Sequence, residues 1–260
     1  MQLTQTMDDI LSALAEQDDE LDAPLGGLDE AGWARPSRCP GWSVCDVVLH
    51  LAQTDEMAVA SAERRFTDAH AAFGTAPAAV PAGATVDDLA GRAVAAARGR
   101  PAAEVYQRWL AASAAQAKAL AACGPGTRLP WVAGEMSAFS LATTRLAESW
   151  IHTGDVTGAL GREPAATGRL RPIARLAWRM LPYAFSRAGR TMSGPVALAL
   201  TAPQGGTWEF TADGPAATTV TGPALDFCLV AARRIDPSAT ALEATGPDAA
   251  AVLDLVRTFA

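Results

Sequence analysis

Four ionisable side chains stand in the middle of one apolar, helix-forming segment, Ala138 to Leu160: Arg145, Glu148, His152 and Asp155. Glu148 and His152 are four residues apart, with Arg145 three before and Asp155 three after, so they share one side of a helix. Charge in apolar surroundings needs a partner. This helix therefore requires neighbours that bring partners to it. A carboxylate and an imidazole at this spacing can close on one metal ion, as the two histidines of a metalloprotease helix do. Two ligands rarely suffice, and the chain holds three histidines in all, His50, His70 and His152. His50 is the candidate third ligand.

The rest of the chain supplies the neighbours. Residues 2–22 place Leu3, Met7, Ile10, Leu14 and Leu21 at helical spacing, with an acidic outer face. Residues 23–42 are rich in Pro and Gly and read as a loop with one short turn near Trp33. Ser43 to Asp46 forms a capping-box start, and the helix that follows runs to about Phe66 with His50 two turns in. Residues 71–84 read as a surface loop, and Thr85 to Asp88 opens another helix ending near Gly99. Pro101 begins the next, which stops at Gly124-Pro125-Gly126. A loop carrying Trp131 leads to Ser137, the expected N-cap of the key helix, and Gly161 is its stop signal.

Residues 167–189 read as an Arg-rich helix bent at Pro182. Beyond Gly194 the pattern changes to short strands at Val196–Thr201, Thr207–Thr211, Thr218–Thr221 and Ala241–Thr245, with helices at Pro223–Arg234 and Asp248–Phe259. The expected fold class is α+β: an up-down four-helix bundle with extra helices over residues 1–190, then a small α+β domain over 195–260.

In a bundle, side chains from facing helices converge in the core, which makes a His50, Glu148 and His152 set geometrically sensible. Three protein ligands leave positions open for water or substrate, the mark of a catalytic site. Spacing alone favours a solvated Glu–His pair and a hydrogen-bonded core histidine over a metal site. Asp155 reads as an acceptor for a ligand imidazole or as a solvent-facing acid. Arg145 reads as a partner of Glu148 or of a substrate carboxylate, or as a surface pair. Asp46, four before His50, reads better as a helix cap than as its orienting group. Cys39 and Cys45 flank the loop and could be nucleophiles, but nothing near them supplies a base and they read better as inert thiols; His70 reads as exposed, and Trp42, Trp131 and Trp150 as core or pocket wall.

Composition narrows the function classes. The net charge of −7 disfavours non-specific nucleic-acid binding. The charge is uneven: residues 1–60 carry twelve acids against two bases, and residues 162–190 seven arginines against one acid. The Arg-rich helix suits an anionic substrate or cofactor, a solvated face, or pairing with the acidic first helix. The four cysteines contain no Cys-x-x-Cys pair, which argues against a zinc ribbon or a disulfide framework. No apolar run spans a membrane and no signal peptide is evident. The expectation is a cytoplasmic monomer or homodimer acting on a small molecule, with neither nucleic acid nor membrane as partner.

Two segments resemble a known family. CPGWSVCDVVLHL (39–51) and WVAGEMSAFSLATTRLAESWIHTGDV (131–156) resemble the two signatures of the mycothiol-dependent maleylpyruvate isomerase family, among the DinB-like metal-binding four-helix bundles. The second is most similar to an actinobacterial subgroup described only as metal-binding. Thr207-Trp208, Gly222, Arg233-Arg234 and Gly246-Pro247-Asp248 resemble the family's sterol-carrier-like C-terminal domain. The resemblance spans nearly the whole chain. It implies a divalent metal, usually Zn2+, on His50, Glu148 and His152, with mycothiol binding nearby. Its thiolate would add to the substrate, the adduct would rotate about the former double bond, and the thiol would leave. Arg145 and Asp155 are the candidate catalytic residues. One departure lies beside a ligand, where Thr153 follows His152. The metal motif is shared by isomerases, thiol transferases and proteins of unknown activity. A thiol-independent Lewis-acid enzyme and a binding protein with a structural metal therefore stand as alternatives.

Overall fold

A computed structural model describes residues 5–67, 85–132, 134–163 and 165–258. The expected loop at 71–84 and His70 lie outside the described residues. The chain forms two compact units, Met1–Pro164 and Ala165–Ala260.

The first unit is helical. Helix α1 spans Met7–Leu25, α2 Glu30–Trp33, α3 Val44–Ala62, α4 Val86–Ala97, α5 Ala102–Ala121 and α6 Ala138–Ala159. Thr6, Ser43 and Thr85 each close a capping box with the Asp three residues on, so α1, α3 and α4 start where hydroxyl and carboxylate together satisfy the first free N–H groups. Ser137 caps α6 through Ser140 N. Between α5 and α6 the expected loop is a hairpin, β1 (Arg128–Trp131) against β2 (Gly134–Ser137).

Helices α1, α3, α5 and α6 make the bundle, and each packs on two of the others: α1 on α6 and α5, α3 on α5 and α6. Their directions follow from who meets whom. Ile10, Met57, Leu120 and Leu141 share one apolar cluster. Leu21, Val48, Val105, Trp109 and Val156 share another. Helices α1 and α6 thus run from the first cluster to the second, and α3 and α5 run back. Two ion pairs agree, because Arg98–Asp46 and Arg108–Glu56 are both 52 residues apart, as a parallel α3/α5 pair requires. The order is up, down, down, up. Simple alternation gives way at α5 because the connection from 63 to 101 is long enough to carry α4 and return the chain to the end where α3 began.

A buried polar layer lies between the two clusters. Arg145 on α6 donates to Asp55 Oδ1 on α3 (2.8 Å) and to Gln116 Oε1 on α5 (3.3 Å). Ser149 on α6 donates to Asp18 on α1 at 2.6 Å. Gln17 donates to Thr153 Oγ1 at 3.1 Å, so the hydroxyl beside His152 is committed to α1. All four helices meet in this layer.

The second unit begins with helix α7 (Leu170–Arg187), followed by β3 (Val196–Thr201), β4 (Thr207–Phe210), β5 (Thr218–Pro223), α8 (Ala224–Ala231), β6 (Glu243–Thr245) and α9 (Ala249–Leu255). The sheet order is β4-β3-β5-β6, with β3 and β5 parallel and the outer pairs antiparallel. Gly246 has φ +109° and lies so close to Ala217 that a Cβ would sit 2.2 Å from its carbonyl oxygen. The boundary expected near residue 190 therefore moves to 164/165. Helix α7 buries Leu170, Ile173, Ala174 and Ala177, packs on α8, and donates from Trp178 Nε1 to Val196 O at 2.8 Å. An apolar face earlier counted with the bundle belongs to the sheet unit.

Candidate metal centre

Helices α3 and α6 run antiparallel against each other and present His50 to Glu148 and His152. His50 Nε2 and His152 Nε2 each lie 3.6 Å from the same oxygen, Glu148 Oε2. The two imidazole rings meet edge to face with centroids 4.9 Å apart. All three residues are buried, at 7%, 8% and 6% exposure. One nitrogen from each histidine and one carboxylate oxygen fall within 4.8 Å of one another.

The separations bear on what the set can hold. At 3.6 Å the nitrogens are beyond ordinary hydrogen-bond distance from the carboxylate. Ligands of a tetrahedral zinc ion, with Zn–N and Zn–O near 2.1 Å, stand about 3.4 Å from each other. The donor types fit the ion as well, since imidazole and carboxylate together suit divalent zinc.

The surroundings set the charge states. Burial alone would raise the Glu148 pKa, but the close His152 and His50 imidazoles, with the Arg145 charge, outweigh it and hold the carboxyl below its usual range. Burial lowers the His50 pKa, with the neighbouring His152 charge acting in the same direction. Burial would lower His152 too, yet its bond to Asp155 and the nearby Cys39 and Glu148 prevail and raise it well above the ordinary imidazole value.

Asp155, 1% exposed, places Oδ2 3.0 Å from His152 Nδ1. The other ring nitrogen thus stays directed at Glu148. Arg145 is equally buried, and it donates to Asp55 and Gln116 rather than to Glu148. It acts on Glu148 and His50 through its charge. Asp46 is a cap: it accepts from Ser43 N and Oγ and from Arg98.

Cys39 overturns its expectation. Its thiol lies 3.0 Å from Asp155 Oδ2 and 3.8 Å from His152 Nδ1. Cys39, His152 and Asp155 form a second group of potential ligands, sharing His152 with the first. No sequence-local signal points to this, because the partners are 113 and 116 residues away. The loop that carries Cys39 is strapped to the last turns of α6. Arg35 Nη1 donates to Ala159 O at 3.3 Å and Arg38 N to Asp155 O at 3.3 Å. The Arg38 side chain crosses Gly158 so closely that a Cβ there would lie 2.2 Å from Nε. Within the loop, Pro36 bridges Ser43, Ser37 Oγ donates to Trp42 O at 2.9 Å, and Trp42 stacks obliquely on His50 at 5.1 Å. One short loop touches both histidines.

Comparisons with known proteins find relatives along most of the chain. Residues 14–157 match the family model of the mycothiol maleylpyruvate isomerase N-terminal domain, and residues 172–253 that of the corresponding C-terminal domain. Two uncharacterized proteins of Mycobacterium tuberculosis, from strains CDC 1551 and H37Rv, are each 38% identical over 252 residues, covering 95% of this chain and 93% of the relative. Crystal structures of the mycothiol-dependent maleylpyruvate isomerase and of a histidine-to-alanine mutant of it are similar in fold. Their TM-scores are 0.60 and 0.61 at 16% and 15% identity, over 93% and 92% of this chain and 93% of each of those chains.

Proposed function

The chain belongs to the mycothiol maleylpyruvate isomerase family, and from that membership we propose a metal-dependent enzyme acting on a small, electron-poor organic molecule. The reaction is an isomerisation or a thiol addition with mycothiol as the thiol. His50, Glu148 and His152 hold the ion, with Zn2+ the favoured metal. The observation that carries the reading is the pair of 3.6 Å separations from two buried imidazoles to one buried carboxylate oxygen, close to the edge of a tetrahedral site. An ion held there would supply a Lewis acid that keeps a thiol in its thiolate form or polarises a carbonyl oxygen.

The chain's own residues supply the rest. Asp155 accepts from His152 Nδ1 and so fixes the ring's tautomer and direction. Trp42 covers His50 and limits its rotation. Glu148, held anionic by its histidine partners, offsets part of the charge of a divalent ion. Arg145, anchored by Asp55, keeps a fixed positive charge one turn below Glu148. These groups are in place before substrate arrives, which is what preorganisation requires.

The test has two parts. Purified protein should contain about one divalent ion per chain by elemental analysis, and His50→Ala or His152→Ala should strip it; full occupancy in either variant refutes the ligand set. Turnover of an electron-poor cis-alkene such as maleylpyruvate should then depend on added mycothiol. Turnover unchanged by thiol would leave a Lewis-acid enzyme that needs no thiol.

A further inference from the structure

We propose that Cys39 is a positioning residue of the metal centre, acting on His152 through Asp155. The inference rests on the metal reading above. A single oxygen, Asp155 Oδ2, serves two donors: the Cys39 thiol at 3.0 Å and His152 Nδ1 at 3.0 Å. A carboxylate with one donor can swing about its own bond and still satisfy it. With the thiol bound from a second direction, the carboxylate is pinned, and the imidazole it holds is pinned with it.

Two further observations favour this role over that of an incidental neighbour. The main chain beside Cys39 is tied to the same residue, since Arg38 N donates to Asp155 O at 3.3 Å. The thiol's place is therefore set by the backbone as well as by its side-chain bond. The loop is also internally braced: Cys39 N donates to Ser37 Oγ at 3.1 Å, and Cys39 O accepts from Trp42 N at 3.1 Å. Cys39 thus joins the brace on His152 to the stacking of Trp42 on His50. Direct ligation by Cys39 is the competing role. Its Sγ faces the Nδ1 side of His152, whereas Glu148 faces Nε2, so one ion on Nε2 leaves the thiol behind the ring.

The experiment compares full-length wild type, Cys39→Ala and Cys39→Ser by chelator competition and by the visible spectrum after Co2+ loading. Removing a group that orients a metal-binding histidine typically weakens binding by about 10-fold or more. Cys39→Ala should show that loss with a shifted ligand-field band. Cys39→Ser, which keeps a hydroxyl donor for Asp155, should recover part of both. Wild-type affinity and spectrum in Cys39→Ala would overturn the proposal. An intense near-ultraviolet thiolate-to-Co2+ band in wild type, lost in both variants, would overturn it in favour of direct ligation. Wild type that binds no Co2+ or Zn2+ would instead bring down the metal reading on which the proposal stands.

Discussion

Asp18 and Asp55 face one guanidinium, Arg145, in the middle of the bundle. Burial pushes the Asp18 carboxyl up to about 6, opposed by its bond from Ser149 and by the Arg145 charge. Burial pushes Asp55 up to about 7, with Arg145 again opposing. A carboxyl whose folded pKa is raised favours the fold when protonated. Its contribution is complete below the unfolded value near 4 and is lost as pH rises through 6 for Asp18. Asp18→Asn, which keeps an acceptor for Ser149, should remove that slope. In urea unfolding, wild type should lose roughly 2–3 kcal/mol more than the variant between pH 4 and pH 8. Parallel pH profiles would sink this reading. Arg145→Leu leaves Asp55 buried without its cation and should destabilise the protein by about 3–5 kcal/mol at pH 8. The loss should shrink at pH 5, where Asp55 holds its proton; a loss equal at both pH values would count against it.

At the scale of elements, legibility tracked the range of the forces involved. The capping boxes at Ser43 and Thr85 and the cap at Ser137 are set by neighbours within three residues, and each helix starts where the local pattern places it. The meeting of His50 with Glu148 and His152 was suggested by helical spacing and by the need of buried charge for a partner, and the resemblance to the family pointed to it more strongly. Cys39 was misread because its partners arrive on a different helix, and no periodicity encodes the docking of a loop. The β1–β2 hairpin was missed for a related reason: four-residue strands around Pro130 and Gly134 carry little alternation. Helix α7 was assigned to the wrong unit because an apolar face does not say what will cover it. The cap at Ser43 makes a direct test. It starts the helix that carries His50, and its partner Asp46 also binds Arg98. Ser43→Ala should cost about 1 kcal/mol in thermal or urea unfolding. No measurable change would show that Arg98 alone holds that end.

For the whole molecule, the ion and the fold should be linked. A metal that binds the native state and leaves the unfolded chain alone stabilises by about 2.7 kcal/mol at a hundredfold excess over Kd. Zn2+ should therefore raise Tm in wild type and leave it unchanged in His152→Ala; an equal rise in both would point to binding elsewhere. Asp18, Asp55, His50 and Glu148 are shared out among α1, α3 and α6, and α1 and α6 are parallel neighbours although they are the first and last helices of the bundle. His50 therefore leaves the ribosome about a hundred residues before Glu148 and His152. Until α6 slots between α1 and α3, the polar layer is open to water and an apolar groove lies uncovered. A nascent chain halted after α5 is exposed to chaperones and proteases, and the enzyme's assembly waits on its last bundle helix.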